Sequence, residues 1–160
     1  SYNNNNQLII VRCANVYGSF QKSLQLLPSI FSQLSSGKEK ISVGNLDNSR
    51  SYIYIDDLIT ALVDLINYKL TNNYEYFHFS NPPQKLNKLT NIISSLALER
   101  FNKKIDFIQE KSLIRPNKSE IGNFILSTKK AKKQIGWNSN YSLEAGIEQI
   151  LIKEQIFNAG

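Results

Sequence analysis

The chain has 160 residues, 41% of them hydrophobic, which suffices for a single core and is too much for a disordered tail. No apolar run approaches the ~20 residues needed to cross a bilayer, and the opening SYNNNNQ has neither the basic start nor the apolar stretch of a secretory signal, so the expectation is a cytoplasmic protein with no membrane partner. The formal charge of +6 suits an anionic partner, whereas one cysteine excludes an internal disulfide and, with one histidine beside it, an ordinary zinc site; no metal is expected.

Ser1 stands where a methionine would open a complete chain, and an asparagine run follows at 3–6, so the sequence reads as excised from something longer. LIIVRCA, residues 8–14, is short, rich in β-branched residues and followed by turn residues, the pattern of a strand buried on both faces. That puts Asn15 at its carboxyl end, where ligands of open α/β sheets bind because loops and helix N-termini converge there. Helical spacing follows over 23–38 with Ser36 and Gly37 as its stop, then a short strand at 40–44 and a turn at 45–49.

RSYIYI (50–55) alternates like a strand and hands over to a helix within 56–70. Asp56 or Asp57 would cap it, and its inner face would carry Leu58, Ala61, Leu62, Leu65 and Ile66. YEYFHFSN (74–81) is the next strand, closed by Asn-Pro-Pro, and His78 within it reads as a core histidine. Helical spacing returns at 86–104 with Asn87 as the cap, and IDFI (105–108) is a short strand. Beyond Pro116 the chain is irregular, then a helix opens at Ser127 and ends at Gly136, and Ser142 caps a last amphipathic helix through 143–157. This order is α/β, with 8–14 and 74–81 as strands of a central sheet and the shorter strands in an appended subdomain.

Much of the positive charge lies in STKKAKKQIGW and in scattered lysines, where a solvated helix face is the simpler reading. Nucleic-acid binding would interleave those lysines with aromatics, and the stretch has none before Trp137, so no nucleic-acid partner is expected.

VRCANVYG (11–18), LLPSIF (26–31), RSYIYIDDLITAL (50–62), YFHFSN (76–81), the spaced RP, EI and LSTKKAKKQIGW of 115–137, and YSLEAGIEQ (141–149) come in one order. Together they resemble the C-terminal half of the extended short-chain dehydrogenase/reductases, the NAD(P)-dependent nucleotide-sugar epimerases and dehydratases. The closing pattern is most similar to the CDP-glucose and GDP-mannose 4,6-dehydratase branch. The resemblance implies the C-terminal part of a Rossmann-like NAD(P)-binding sheet plus a small mixed α/β substrate-binding subdomain. The strands at about 8–14 and 74–81 would belong to the first, about 15–50 and 82–160 to the second, and the cofactor-binding half would be absent. Neither a Gly-rich dinucleotide loop nor a tyrosine followed four residues later by a lysine occurs here, although the family carries both.

The same resemblance implies site residues. Cys13, Ala14 and Asn15 match positions beside the nicotinamide, and Asn15 also touches the sugar diphosphate; from the residues alone, Cys13 reads equally as a small buried hydrophobe and Asn15 as a turn-former. Tyr17 reads either as a pocket residue or as packing. Gln25 and Leu26 match the helix start near the diphosphate and base. Ile41 and Val43 match a strand flanking the nucleobase and read equally as an ordinary strand face. Arg50 matches the diphosphate-binding arginine, a role its planar fork suits, and Arg115 a second clamp stiffened by Pro116. Glu120 matches an acceptor for ribose hydroxyls, while Asp56 and Asp57 read as a helix N-terminus rather than a catalytic pair.

The expected function is thus the nucleotide-sugar-binding portion of a 4,6-dehydratase or epimerase that uses NAD or NADP, bound mainly by the missing half, and whose full-length form is a homodimer. The fragment alone would be inactive. A catalytically incomplete paralogue or a stand-alone nucleotide-sugar-binding module is the alternative.

Overall fold

The structure is a computed structural model and describes residues 7–22, 25–114 and 125–157. Two layers of contacts organise it. In the first, β1 (Leu8–Cys13) runs parallel to β6 (Tyr74–Phe79), in register from Leu8 opposite Tyr74 to Cys13 opposite Phe79. Parallel strands cannot be joined by a tight turn, and the crossover between these two contains most of the second layer as well as helix α2 (Ile55–Ile66). Leu58, Ala61 and Leu65 of α2 recur at helical spacing and pack with Ile9, Val11, Phe77 and Phe79. Helix α4 (Lys129–Ile135) lies against β6, and its Ala131, with Trp137 just beyond, completes this cluster.

The second layer is built from short paired strands. β2 (Asn15–Tyr17) lies parallel to β5 (Tyr52–Tyr54), and β3 (Lys40–Val43) parallel to β8 (Asp106–Gln109). The two-residue strands β4 (Ser49–Arg50) and β7 (Gln84–Lys85) pair antiparallel. Helices α1 (Leu26–Ser35), α3 (Leu86–Phe101) and α5 (Leu143–Lys153) enclose them, with Ile30, Ile41, Leu89, Ile93, Ile147 and Ile150 fully buried. Pro28 sits in the first turn of α1, where a missing N–H breaks no helical bond. Asn102 and Gly136 end α3 and α4 in the left-handed region, at φ of 52° and 66°. Among the described residues no helix is long and apolar enough to cross a membrane.

Several local expectations are corrected. β1 is not buried on both faces: Cys13 is exposed at its end, and Leu8 and Ile10 are exposed because only the face carrying Ile9 and Val11 meets α2. For the same reason Leu62 and Ile66 of α2 are 41% and 80% exposed rather than inward. In β6, Tyr74 and Tyr76 are exposed on that bare side, and His78 is only half-buried, beside the Tyr76 ring. Neither Asp56 nor Asp57 caps α2, whose N-cap position is Tyr54. Lys85 rather than Asn87 precedes α3, and Thr128 rather than Ser127 precedes α4. Ser142 does cap α5, accepting from the Ala145 N–H at 3.0 Å.

Candidate substrate-binding site

Asn15 opens β2 opposite Tyr52, one residue after β1 ends. Its backbone N–H and its side-chain Nδ2 both donate to the Ser51 carbonyl, at 3.2 and 2.9 Å. This double bond to one acceptor ties the carboxyl end of β1 to the residue that follows Arg50. Arg50 itself is half-exposed at the end of β4, its Nη1 donating to the Ser49 carbonyl at 3.0 Å, and its ladder partner is Gln84. Its positive charge is felt at Tyr52: burial pushes the Tyr52 phenol up to about 12, and Arg50 partly offsets that rise. Asn15 is thus tied to the residue next to Arg50 in the chain.

Tyr17 does not share it. The side chain is 2% exposed, its ring packs edge-on to Tyr52 and tilted against Tyr54 at 6.0 and 5.4 Å, and its hydroxyl donates to the Leu143 carbonyl at 3.5 Å. Burial raises its phenol above the ordinary tyrosine range. Of the two readings open for Tyr17, packing is the one observed. The stack continues through Tyr54 to Tyr141, ring centroids 4.6 Å apart, and Lys153 Nζ donates to the Tyr54 hydroxyl at 3.4 Å, which raises the lysine pKa.

Ile41 and Val43 are likewise core residues, 0% and 2% exposed under α1. Gln25 is exposed at the N-cap position of α1 and Leu26 half-buried in its first turn. Cys13 is exposed and Ala14 half-buried where β1 gives way to β2. Arg115 and Glu120 lie outside the described residues.

A cleft of about 400 Å³ opens next to Arg50, lined by Tyr52, Asn81, Pro82, Gln84 and the 139–143 segment. Asp57, behind that lining, holds its 139–141 part in place. Buried to 1% exposure, its carboxylate accepts from the Ser139 hydroxyl (2.6 Å), the Asn140 N–H (2.8 Å) and the Tyr141 N–H (3.3 Å). The carboxylate read as a helix terminus therefore anchors a loop more than 80 residues away, a role no local pattern announces. The cleft residues were missed for that reason; the one sequence signal near them is the Asn-Pro-Pro turn that ends β6.

The profile of the GDP-mannose 4,6 dehydratase family matches residues 1–150. The chain belongs to this family. A curated relative is the dTDP-4-dehydro-6-deoxyglucose reductase of Escherichia coli, 23% identical over 92% of this chain and 45% of the relative. A solved NAD-dependent NDP-hexosamine 5,6-dehydratase superposes with a TM-score of 0.72 at 27% identity, over 91% of this chain and 45% of that one. UDP-glucose 4-epimerase from Thermotoga maritima, solved with UDP-glucose, gives 0.71 at 23% identity, over 92% and 45%. The dTDP-glucose 4,6-dehydratase of Bacillus anthracis, solved with NAD, gives 0.70 at 19%, over 92% and 44%. The fold is the Rossmann-like one these proteins share, and the chain spans about half the length of the relatives it matches.

A dinucleotide of the kind bound in the Bacillus anthracis neighbour needs its pyrophosphate cradled by a glycine-rich turn between a strand and a helix N-terminus. The described residues of this family member do not fit that group. β1 passes to β2 through Ala14 alone, and β5 runs into α2 without a glycine.

Proposed function

We propose that this chain is the nucleotide-sugar-binding portion of an NAD(P)-dependent nucleotide-diphosphate-sugar 4,6-dehydratase or epimerase, the dinucleotide being held mainly by residues outside it. The observation that carries the reading is the pair of hydrogen bonds by which Asn15, just past the carboxyl end of parallel strand β1, is tied to Ser51, the neighbour of Arg50. A guanidinium there can grip two oxygens of a diphosphate at once, while an amide at the strand end can orient a sugar hydroxyl. Cys13 and Ala14, at the same strand end, are the residues that would meet the nicotinamide side of a cofactor bound elsewhere.

The open edge of β1 supports the same reading. Parallel sheets are stable with both faces covered, yet here Leu8, Ile10, Tyr74 and Tyr76 stand bare on one face and β1 pairs on one side among the described residues. A cofactor-binding half that continues the sheet past β1 would pair that edge, and its crossover helices would cover the bare face. The absence of a pyrophosphate cradle among the described residues is expected equally by a second reading, a nucleotide-sugar-binding module that pairs with a separate chain or has lost its chemistry. The two separate on the full-length gene product: the enzyme reading requires hydride transfer from substrate to NAD(P), which the module reading forbids.

Calorimetric titration of the full-length protein with CDP-, GDP-, UDP- and dTDP-sugars tests the site. One nucleotide is expected to bind best, and Arg50→Ala to weaken it by about tenfold or more, since hydrogen bonds to charged groups are the stronger ones. Affinity unchanged by Arg50→Ala would remove the diphosphate assignment.

A further inference from the structure

The cleft beside Arg50 contains none of the residues matched to the nucleotide-sugar site, and its lining has a chemistry of its own. Tyr52, Asn81, Pro82, Gln84, Ser139, Tyr141, Ser142 and Leu143 carry no formal charge, in a chain whose net charge is +6. An anion would find no lining cation to pair with there. The two serines also hold the wall: Ser139 donates to Asp57, and Ser142 accepts from the first turn of α5.

The amides differ. Among the described residues, none bonds to the side chain of Asn81 or Gln84, although the backbone of both is fixed: Asn81 N–H donates to the Tyr52 carbonyl at 3.2 Å, and Gln84 is held in the β4–β7 ladder. Two amides on a fixed backbone, each carrying a donor beside an acceptor, line the same cleft of about 400 Å³ as Tyr52 and Tyr141. That volume lies within the range of roughly 300–1,000 Å³ typical of small-molecule sites.

We propose that this cleft is a second binding site, for a neutral pyranose sugar carrying no phosphate. A vicinal pair of hydroxyls matches an amide's adjacent donor and acceptor, and the C–H face of a pyranose ring carries the partial positive charge that the negative face of a tyrosine ring attracts. The inference stands apart from the nucleotide-sugar reading, because it uses none of the residues assigned to it.

The test is saturation-transfer NMR of the 160-residue chain with methyl α-D-glucopyranoside, a neutral sugar without a leaving phosphate. Magnetisation is expected to pass to the glucoside, with an apparent Kd raised about three- to tenfold by Asn81→Ala and by Gln84→Ala, each of which removes one hydrogen-bonding group from the complex. Excess UDP should leave the signal in place. Because neither amide holds any other described part of the fold, both variants should keep the wild-type thermal melt, and either one alone suffices for the test. Absence of transfer, transfer untouched by both substitutions, or displacement of the glucoside by UDP would each overturn the proposal, the last by merging the cleft with the diphosphate site.

Discussion

Around β2 and β5, Ile41, Leu89, Ile93 and Ile147 are met on every side by α1, α3 and α5, and even three tyrosines, Tyr17, Tyr52 and Tyr54, are submerged. The β1–β6 pair has the same β-rich composition and is treated differently. Phe77 and Phe79 are sealed under α2 and Trp137, while Leu8 and Tyr74 on the opposite face are 55% and 64% exposed, with Ile59, Val63 and Ile66 along the outer flank of α2 at 50%, 52% and 80%. The contrast teaches that the second layer carries a finished core, whereas the first carries half of one. Its bare half is large and apolar, the kind of surface that marks an interaction site.

The largest effect should come where the finished side of the first layer is held. Trp137 closes the β1–β6 cluster, packs edge-on to Phe79 at 5.2 Å and donates from Nε1 to the Asp57 carbonyl at 3.3 Å. Trp137→Ala is expected to lower unfolding free energy by about 3–5 kcal/mol in a denaturant titration. A loss under about 1 kcal/mol would mean that this half-core is as unfinished as the face behind it.

Next comes the tightest contact of the second layer. A Cβ on Gly146 would overlap the Tyr17 hydroxyl and crowd its ring carbons at 2.9 and 3.0 Å. Gly146→Ala should therefore cost about 1–3 kcal/mol by overpacking. Adding Tyr17→Phe, which removes the overlapping oxygen, should return part of it, and strict additivity of the two changes would disprove the contact.

A pH effect distinguishes the two layers as well. Glu75, inward on β6, bonds to Lys130, Thr71 and Tyr68, and chiefly through Lys130 its carboxyl is held down at about 2 against an ordinary 4.5. The unfolded chain then takes up a proton near 4.5 that the folded chain refuses until about 2, so this contribution is complete at neutral pH and drains away as pH falls between those values. Glu75→Gln should flatten the acid limb of a stability-against-pH curve; an unaltered limb would show that the Lys130 contact does not persist in solution.

The smallest change in stability should come from the bare surface. Ile66→Lys is expected to alter unfolding free energy by no more than about 0.5 kcal/mol, as exposed substitutions do. The same substitution should shift the chain toward monomer in sedimentation velocity, because it breaks an exposed apolar patch. A large destabilisation would mean that α2 buries this flank after all.

Much of this was legible in the chain. Alternation and helical spacing located the elements to within a few residues, and the order of short motifs pointed to the family. Arg50 and Asn15 were legible because their places, at strand ends, are set by the strands themselves. Ile41 and Val43 could not be assigned by the same means: alternation says that two residues share a face, and only α1 lying over that face says which way it points. Asp57 is the sharpest case. Two residues into α2 it has the look of a helix-start acid, and its three partners all come from a loop beyond residue 138.

By itself the sequence determined what is encoded locally: strand and helix periods, the caps at Ser142 and Gly136, and the order of short motifs that pointed to the family. Tertiary structure alone decided which apolar faces are covered, that Tyr17 is core, and that a neutral cleft forms between Asn81 and Tyr141. The physical reason is that periodicity records which side chains share a face, whereas burial depends on what packs against that face, and those neighbours are far away along the chain.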